Sequence, residues 1–172
     1  MQLEMERKKS FAEKHGFKRV DYGMDDNPFA SKVICGDCGG EYDRKVWNSN
    51  DERFRQRVWR CNKRYVEKGK KGCDNTHIND EVLYQIFINV FNPILENKDY
   101  FTQKWREKLS SENLLEKYKA KQFIEIITKA KPTTQFEANL FFAFVEKMTV
   151  FKEEQVIVRL LDGTEIECEI DK

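Results

Sequence analysis

Apolar positions along the chain follow two periods. Val82, Leu83, Ile86, Phe87, Val90 and Phe91 recur three and four residues apart, which predicts a helix capped by Asn79 or Asp80 and bent or ended at Pro93. Phe101, Trp105 and Leu109 share one stripe and predict a second helix over residues 99–109. A third is predicted over 112–130, carrying Leu115, Tyr118, Gln122, Ile126 and Ala130 and terminated by Lys131-Pro132. Thr134-Gln135-Phe136-Glu137 reads as a capping box. It would open a fourth helix with Phe136, Leu140, Phe141, Phe144, Val145 and Met148 inward. These stripes predict an ordinary core and an antiparallel helical hairpin.

Elsewhere the period is two. Residues 31–34, 41–47 and 54–61 predict strands, the last two joined by a turn at 48–51. Alternation sets Phe54, Gln56, Val58 and Arg60 on one face, and Arg55, Arg57, Trp59 and Cys61 on the other. Residues 149–152, 155–161 and 164–170 predict a closing meander, with Asp162-Gly163 as its hairpin turn. The fold class is therefore α+β: a small ribbon, a helical segment and a C-terminal antiparallel β-meander. Residues 1–28 read as a polar helix stopped by Gly16 and a linker, 29–78 as the ribbon, 79–148 as helical and 149–172 as the meander.

Cysteine spacing supplies the first chemistry. Cys35 and Cys38 form a C-x2-C pair beside Gly36, Gly39 and Gly40, and Cys61 and Cys73 follow. Four thiolates make a closed tetrahedral zinc site, which holds structure and leaves no open position for hydrolytic water. Two disulfides or four buried thiols are the blander alternatives. His77, four residues beyond Cys73, is a possible substitute ligand but reads better as a surface or capping residue. Cys168 alternates with Ile166 and Ile170, as a small apolar side chain would.

Charge changes the picture next. The net charge of 172 residues is only +1, yet residues 35–73 hold eleven basic and six acidic groups while 134–172 hold four and nine. A zinc ion with four thiolates adds about −2 to the ribbon and leaves it basic. Arg44, Lys45, Arg53, Arg55, Arg57 and Arg60 along the hairpin, with Lys63, Arg64, Lys68, Lys70 and Lys71 in the loop, suit a phosphate backbone. Tyr65 is placed to stack. The acidic end is expected to face away from nucleic acid. The first nine residues are charged, and no apolar run approaches the ~20 residues of a membrane span. A cytoplasmic location and no membrane partner are expected.

Residues 29–44, from Phe29 through Cys35-Gly36-Asp37-Cys38-Gly39-Gly40 to Arg44, resemble the entry to the zinc ribbon of large serine recombinases. Val58-Trp59-Arg60-Cys61 and Gly72-Cys73-Asp74-Asn75-Thr76-His77-Ile78 resemble its remaining knuckle strands, and Asp80-Glu81-Val82-Leu83 the start of its next helix. The resemblance implies zinc on the four cysteines, recognition of double-stranded attachment-site DNA and assembly with other recombinase subunits. It also implies that the serine nucleophile resides in a separate resolvase-like domain. Ser10, Ser31, Ser49, Ser110 and Ser111 have no arginine-rich surroundings, so this portion is expected to bind DNA without cutting it and to take no small-molecule substrate. Residues 93–131 are the candidate for the family's coiled coil. The competing expectation is a zinc-stapled protein-interaction module without DNA contact.

Overall fold

A computed structural model describes residues 27–170 apart from Ser49, 66–68 and Glu153. The predicted helix over 1–15, most of the linker and Lys68 lie outside the described residues. The chain runs β1 (Val33–Cys35), β2 (Tyr42–Trp47), β3 (Gln56–Cys61), a 3-10 turn (Asn62–Tyr65) and β4 (Ile78–Asn79). Four helices follow: α1 (Asp80–Glu96), α2 (Lys98–Lys108), α3 (Leu114–Lys129) and α4 (Ala138–Phe144). The end is β5 (Val145–Val150), β6 (Gln155–Leu160) and β7 (Glu165–Glu169).

Two sheets result. The ribbon sheet has the order β2-β3-β4, antiparallel throughout, with Trp59 opposite both Arg44 and Ile78. The second sheet has the order β1-β5-β6-β7. Here β5, β6 and β7 form the expected meander, but β1 joins it in parallel, with Val33 opposite Met148 and Cys35 opposite Val150. The strand that enters the first knuckle thus belongs to the C-terminal sheet.

The alternation in residues 145–150 explains a correction at α4. Val145, Met148 and Val150 are buried while Glu146 is exposed. Pairing on both edges, to β1 and β6, overrides the helical spacing that assigned Val145 and Met148 to a helix. The helix therefore begins after Glu137 and ends at Phe144. Thr134 does not cap it; Thr133 Oγ1 instead accepts from the Gln135 amide in the preceding loop.

Pro93 neither ends nor breaks α1, which continues to Glu96. The missing proline N–H falls in the last turn, where burial of Phe91 and Ile94 holds the helix together. Helices α2 and α3 pair antiparallel, as expected: Lys98 Nζ donates to Thr128 O, and Trp105 meets Phe123 edge-on. The buried stripe of α3 is Ala120, Phe123 and Ile127, whereas Leu115 and Tyr118 face solvent. The large Phe123 ring sets that rotation by stacking on Phe144 at 4.5 Å with an interplanar angle of 8°.

One aromatic core unites these parts. Phe29, fully buried, contacts Trp59, Tyr84, Phe136 and Phe141. Phe87 and Phe91 of α1 carry the packing on to Phe141 and Phe144. The Trp59 indole N–H donates to the buried Asp80 carboxylate at 2.5 Å, tying the ribbon to the start of α1. Opposite, the β6–β7 turn is fixed by Asp162. Its carboxylate accepts from Trp105 Nε1 at 2.9 Å, Lys108 Nζ at 3.1 Å and the Thr164 amide at 3.0 Å.

Candidate metal centre and nucleic-acid interface

Short backbone bonds build the two knuckles. Cys35 ends β1; its amide donates to Gly40 O at 2.7 Å and its carbonyl accepts from Gly39 N at 2.9 Å. Gly39 sits at φ +67, where a side chain is disfavoured. Cys61 ends β3, and Cys73 returns to it through its own amide, which donates to Lys63 O at 3.1 Å. A Cβ on Gly72 would drive into the carbonyl oxygens of Lys63 and Arg64, so only glycine lets the loop pass that close.

These turns bring all four sulfurs within 4.8 Å of one another. Cys38 Sγ lies 3.3 Å from Cys61 Sγ, and Cys35 Sγ 3.6 Å from Cys73 Sγ. A zinc tetrahedron with Zn–S bonds of ~2.3 Å sets its sulfurs about 3.8 Å apart. The cluster has the size and donor set for that ion. Among the described residues it consists of Cys35, Cys38, Cys61 and Cys73 alone. His77 is exposed and packs its ring on Trp47 at 4.7 Å, and Cys168 lies half-buried on β7.

The surroundings act on the sulfurs in opposite directions. Backbone amides of Gly40, Lys63 and Asn75 hydrogen-bond Cys38, Cys61 and Cys73 respectively. Burial pushes the Cys61 and Cys73 thiols up. At Cys38 burial acts the same way, but the Gly40 amide and the neighbouring sulfurs outweigh it and bring that thiol down. Burial beside these sulfurs also pushes the Tyr42 phenol far up, so it stays a donor, to Thr76 O at 2.7 Å.

Asn75, part of the Gly72–Ile78 resemblance, has a role that only the fold reveals. It is fully buried, and Nδ2 donates both to Cys35 Sγ at 3.1 Å and to Val150 O at 2.9 Å. The same carbonyl accepts from Gly36 N at 2.7 Å. One amide thus joins the cysteine cluster to β5. Asn75→Ala is expected to cost about 1–3 kcal/mol and to weaken metal retention. Chelator competition and denaturant melts of the zinc-loaded chain check this; unchanged values in both would remove the assigned role.

Residues 28–92 match the family model of the recombinase zinc beta ribbon domain. This segment is therefore similar to the zinc ribbons of recombinases. Over the longer chain, the fold is similar to two solved structures. One comes from work on the sequence requirements of the Listeria innocua prophage attP site, at 16% identity and TM-score 0.41, over 76% of this chain and 41% of that one. The other is the crystal structure of an LSR–DNA complex, at 14% identity and TM-score 0.44, over 84% of this chain and 58% of that one. This chain therefore spans roughly half the length of the proteins it is similar to. No curated protein sequence matches it.

The ribbon distributes the basic residues unevenly. Directly opposed residues share a face, so Arg44 and Arg57 lie on the side of Trp59 and Cys61, while Lys45 and Arg60 lie on the side of Val58. Arg44 and Arg57 stand near Tyr84, where their charge acts on its phenol. Arg60 lies over the exposed Tyr65 ring at 4.8 Å. At the hairpin tip Arg53 pairs with Asp51 at 2.9 Å and Arg55 with Glu52 at 2.7 Å. Lys45 pairs with Asp43 and Lys71 with Asp74, and Lys70 is exposed. Lys63 and Arg64 brace the knuckles by donating to Cys38 O and Asn75 O. Phe54, expected on a strand, sits in the tip turn and is 61% exposed. Such exposed surface ion pairs cost little to exchange for phosphate. No described helix is long and apolar enough to cross a membrane.

Proposed function

We propose that this chain is the DNA-binding portion of a large serine site-specific recombinase. In this reading the zinc ribbon, stiffened by a structural zinc ion, recognises double-stranded attachment-site DNA. The observation that carries it is the four-sulfur cluster lying inside the recombinase zinc ribbon match. Zinc supplies a closed clamp on Cys35, Cys38, Cys61 and Cys73. A two-stranded ribbon has the width that a DNA major groove admits, and β2–β3 presents Arg44, Lys45, Arg53, Arg55, Arg57 and Arg60 along it. Lys63, Arg64, Lys68, Lys70 and Lys71 extend the same charge onto the loop. Strand scission belongs to a catalytic serine domain outside this chain, and synapsis to contacts with other recombinase subunits.

The test is fluorescence anisotropy of the zinc-loaded chain on an attachment-site duplex across a salt series. Affinity should fall steeply with salt, by about one unit of log–log slope per phosphate neutralised. The double variant Arg55→Ala, Arg57→Ala should bind more weakly and lose up to about two units of that slope. No shift of the duplex at moderate salt would overturn the reading and favour a protein-interaction module.

A further inference from the structure

The edge of the C-terminal sheet combines a backbone unpaired among the described residues with an unusual charge pattern. β7 is the last strand of its sheet. Two bonds fix the phase of its ladder: Leu160 N donates to Thr164 O and Ile170 N to Glu154 O. Antiparallel pairs alternate between hydrogen-bonded and non-hydrogen-bonded positions. Ile166 and Cys168 therefore bond inward to β6. Glu165, Glu167 and Glu169, opposite Arg159, Ile157 and Gln155, turn their N–H and C=O groups outward. Among the described residues no strand pairs with that edge.

Side chains divide just as cleanly. Ile166 and Cys168 stand opposite the buried Val158 and Val156 on the core face, yet both remain half-exposed. Next to them Val82, Gln85, Ile86 and Asn89 of α1 border a groove of ≈270 Å3 that reaches Glu169 and Ile170. The three glutamates project from the opposite face and are exposed.

We propose that this edge accepts an extended basic peptide strand from another protein, by β-augmentation. A strand added here sets every second residue directly across from Glu165, Glu167 or Glu169, on the carboxylate face, and complementarity selects Lys or Arg there. The intervening residues fall on the core face, over Ile166, Cys168 and the groove beside α1, and must be apolar. Main-chain bonds supply affinity and the alternation supplies specificity. A second copy of β7 is excluded as occupant because it would oppose glutamate to glutamate.

A nine-residue peptide alternating lysine and valine tests this by titration into the full zinc-loaded chain. Binding should protect the Glu165, Glu167 and Glu169 amides from hydrogen exchange. The triple variant Glu165→Gln, Glu167→Gln, Glu169→Gln should bind about tenfold more weakly. A peptide N-methylated at alternate residues keeps the charge but cannot complete the ladder, and should not bind. Equal binding of the N-methylated peptide, protection elsewhere in the chain, or full affinity in the triple variant would each overturn the proposal. The variant's own melting temperature separates lost affinity from lost folding.

Discussion

Stripping zinc from the loaded chain with a chelator is expected to unravel more than the ribbon. Small zinc peptides owe about 10–16 kcal/mol to their metal, and all four cysteines of the knuckles meet in one cluster. The loss should spread because Cys35 is also the last residue of β1, and Asn75 and Gly36 both bond Val150 O. Hydrogen exchange should therefore show β1 and β5 losing protection together with β2 and β3, while the Trp105–Phe123–Phe144 cluster survives longer. Cys61→Ser should reproduce the pattern without chelator, since Cys61 is 1% exposed and leaves no room for water to replace it. A chain with unaltered protection and melting in excess chelator would refute the metal's structural role.

Removing the Asp162 carboxylate is the second large effect. Its side chain is 2% exposed, and Asp162→Ala would strand the Trp105 indole N–H and leave the part-exposed Lys108 ammonium only the Asp162 carbonyl, at a cost of about 1–3 kcal/mol. Burial alone would raise this carboxyl. The Thr164 amide and hydroxyl, Trp105 and Lys108 outweigh it and hold the group below the usual carboxylate range. A depressed folded value means that the stabilisation is present above the unfolded carboxylate pKa, about 3.9, and is lost as pH falls through the folded value. The stability gap between the native chain and Asp162→Asn should then be full at pH 7 and close in strong acid. Denaturant melts across that range check it; a gap independent of pH would mean that the carboxylate charge contributes nothing.

Local chemistry was legible in the sequence, and long-range pairing was not. The C-x2-C glycines, the 82–91 stripe and the Asp162-Gly163 turn each determine their geometry within a few residues, and each appears in the fold. Residues 145–148 read as helix because Phe141, Phe144, Val145 and Met148 also fit a spacing of three and four. Only strand partners on both sides reveal the period of two. Leu115 and Tyr118 fit the α3 stripe equally well on paper, and the fit of Phe123 against Trp105 and Phe144 decided against them. The role of Asn75 was not legible, since its two bonds depend on Cys35 and Val150, both remote in sequence. The cysteine cluster was foreseeable, whereas the way basic residues split between knuckle bracing and exposed ion pairs emerges only from the fold.

The parallel pairing of β1 with β5 bears on the order in which the chain assembles during synthesis. β1 leaves the ribosome early, yet its sheet partner emerges only after all four helices. Once Cys73 has been made, all four cysteines of the cluster are present, whereas β5 is still to come. Closing the C-terminal sheet therefore joins strands separated by most of the described chain, a separation that costs loop-closure entropy and slows folding.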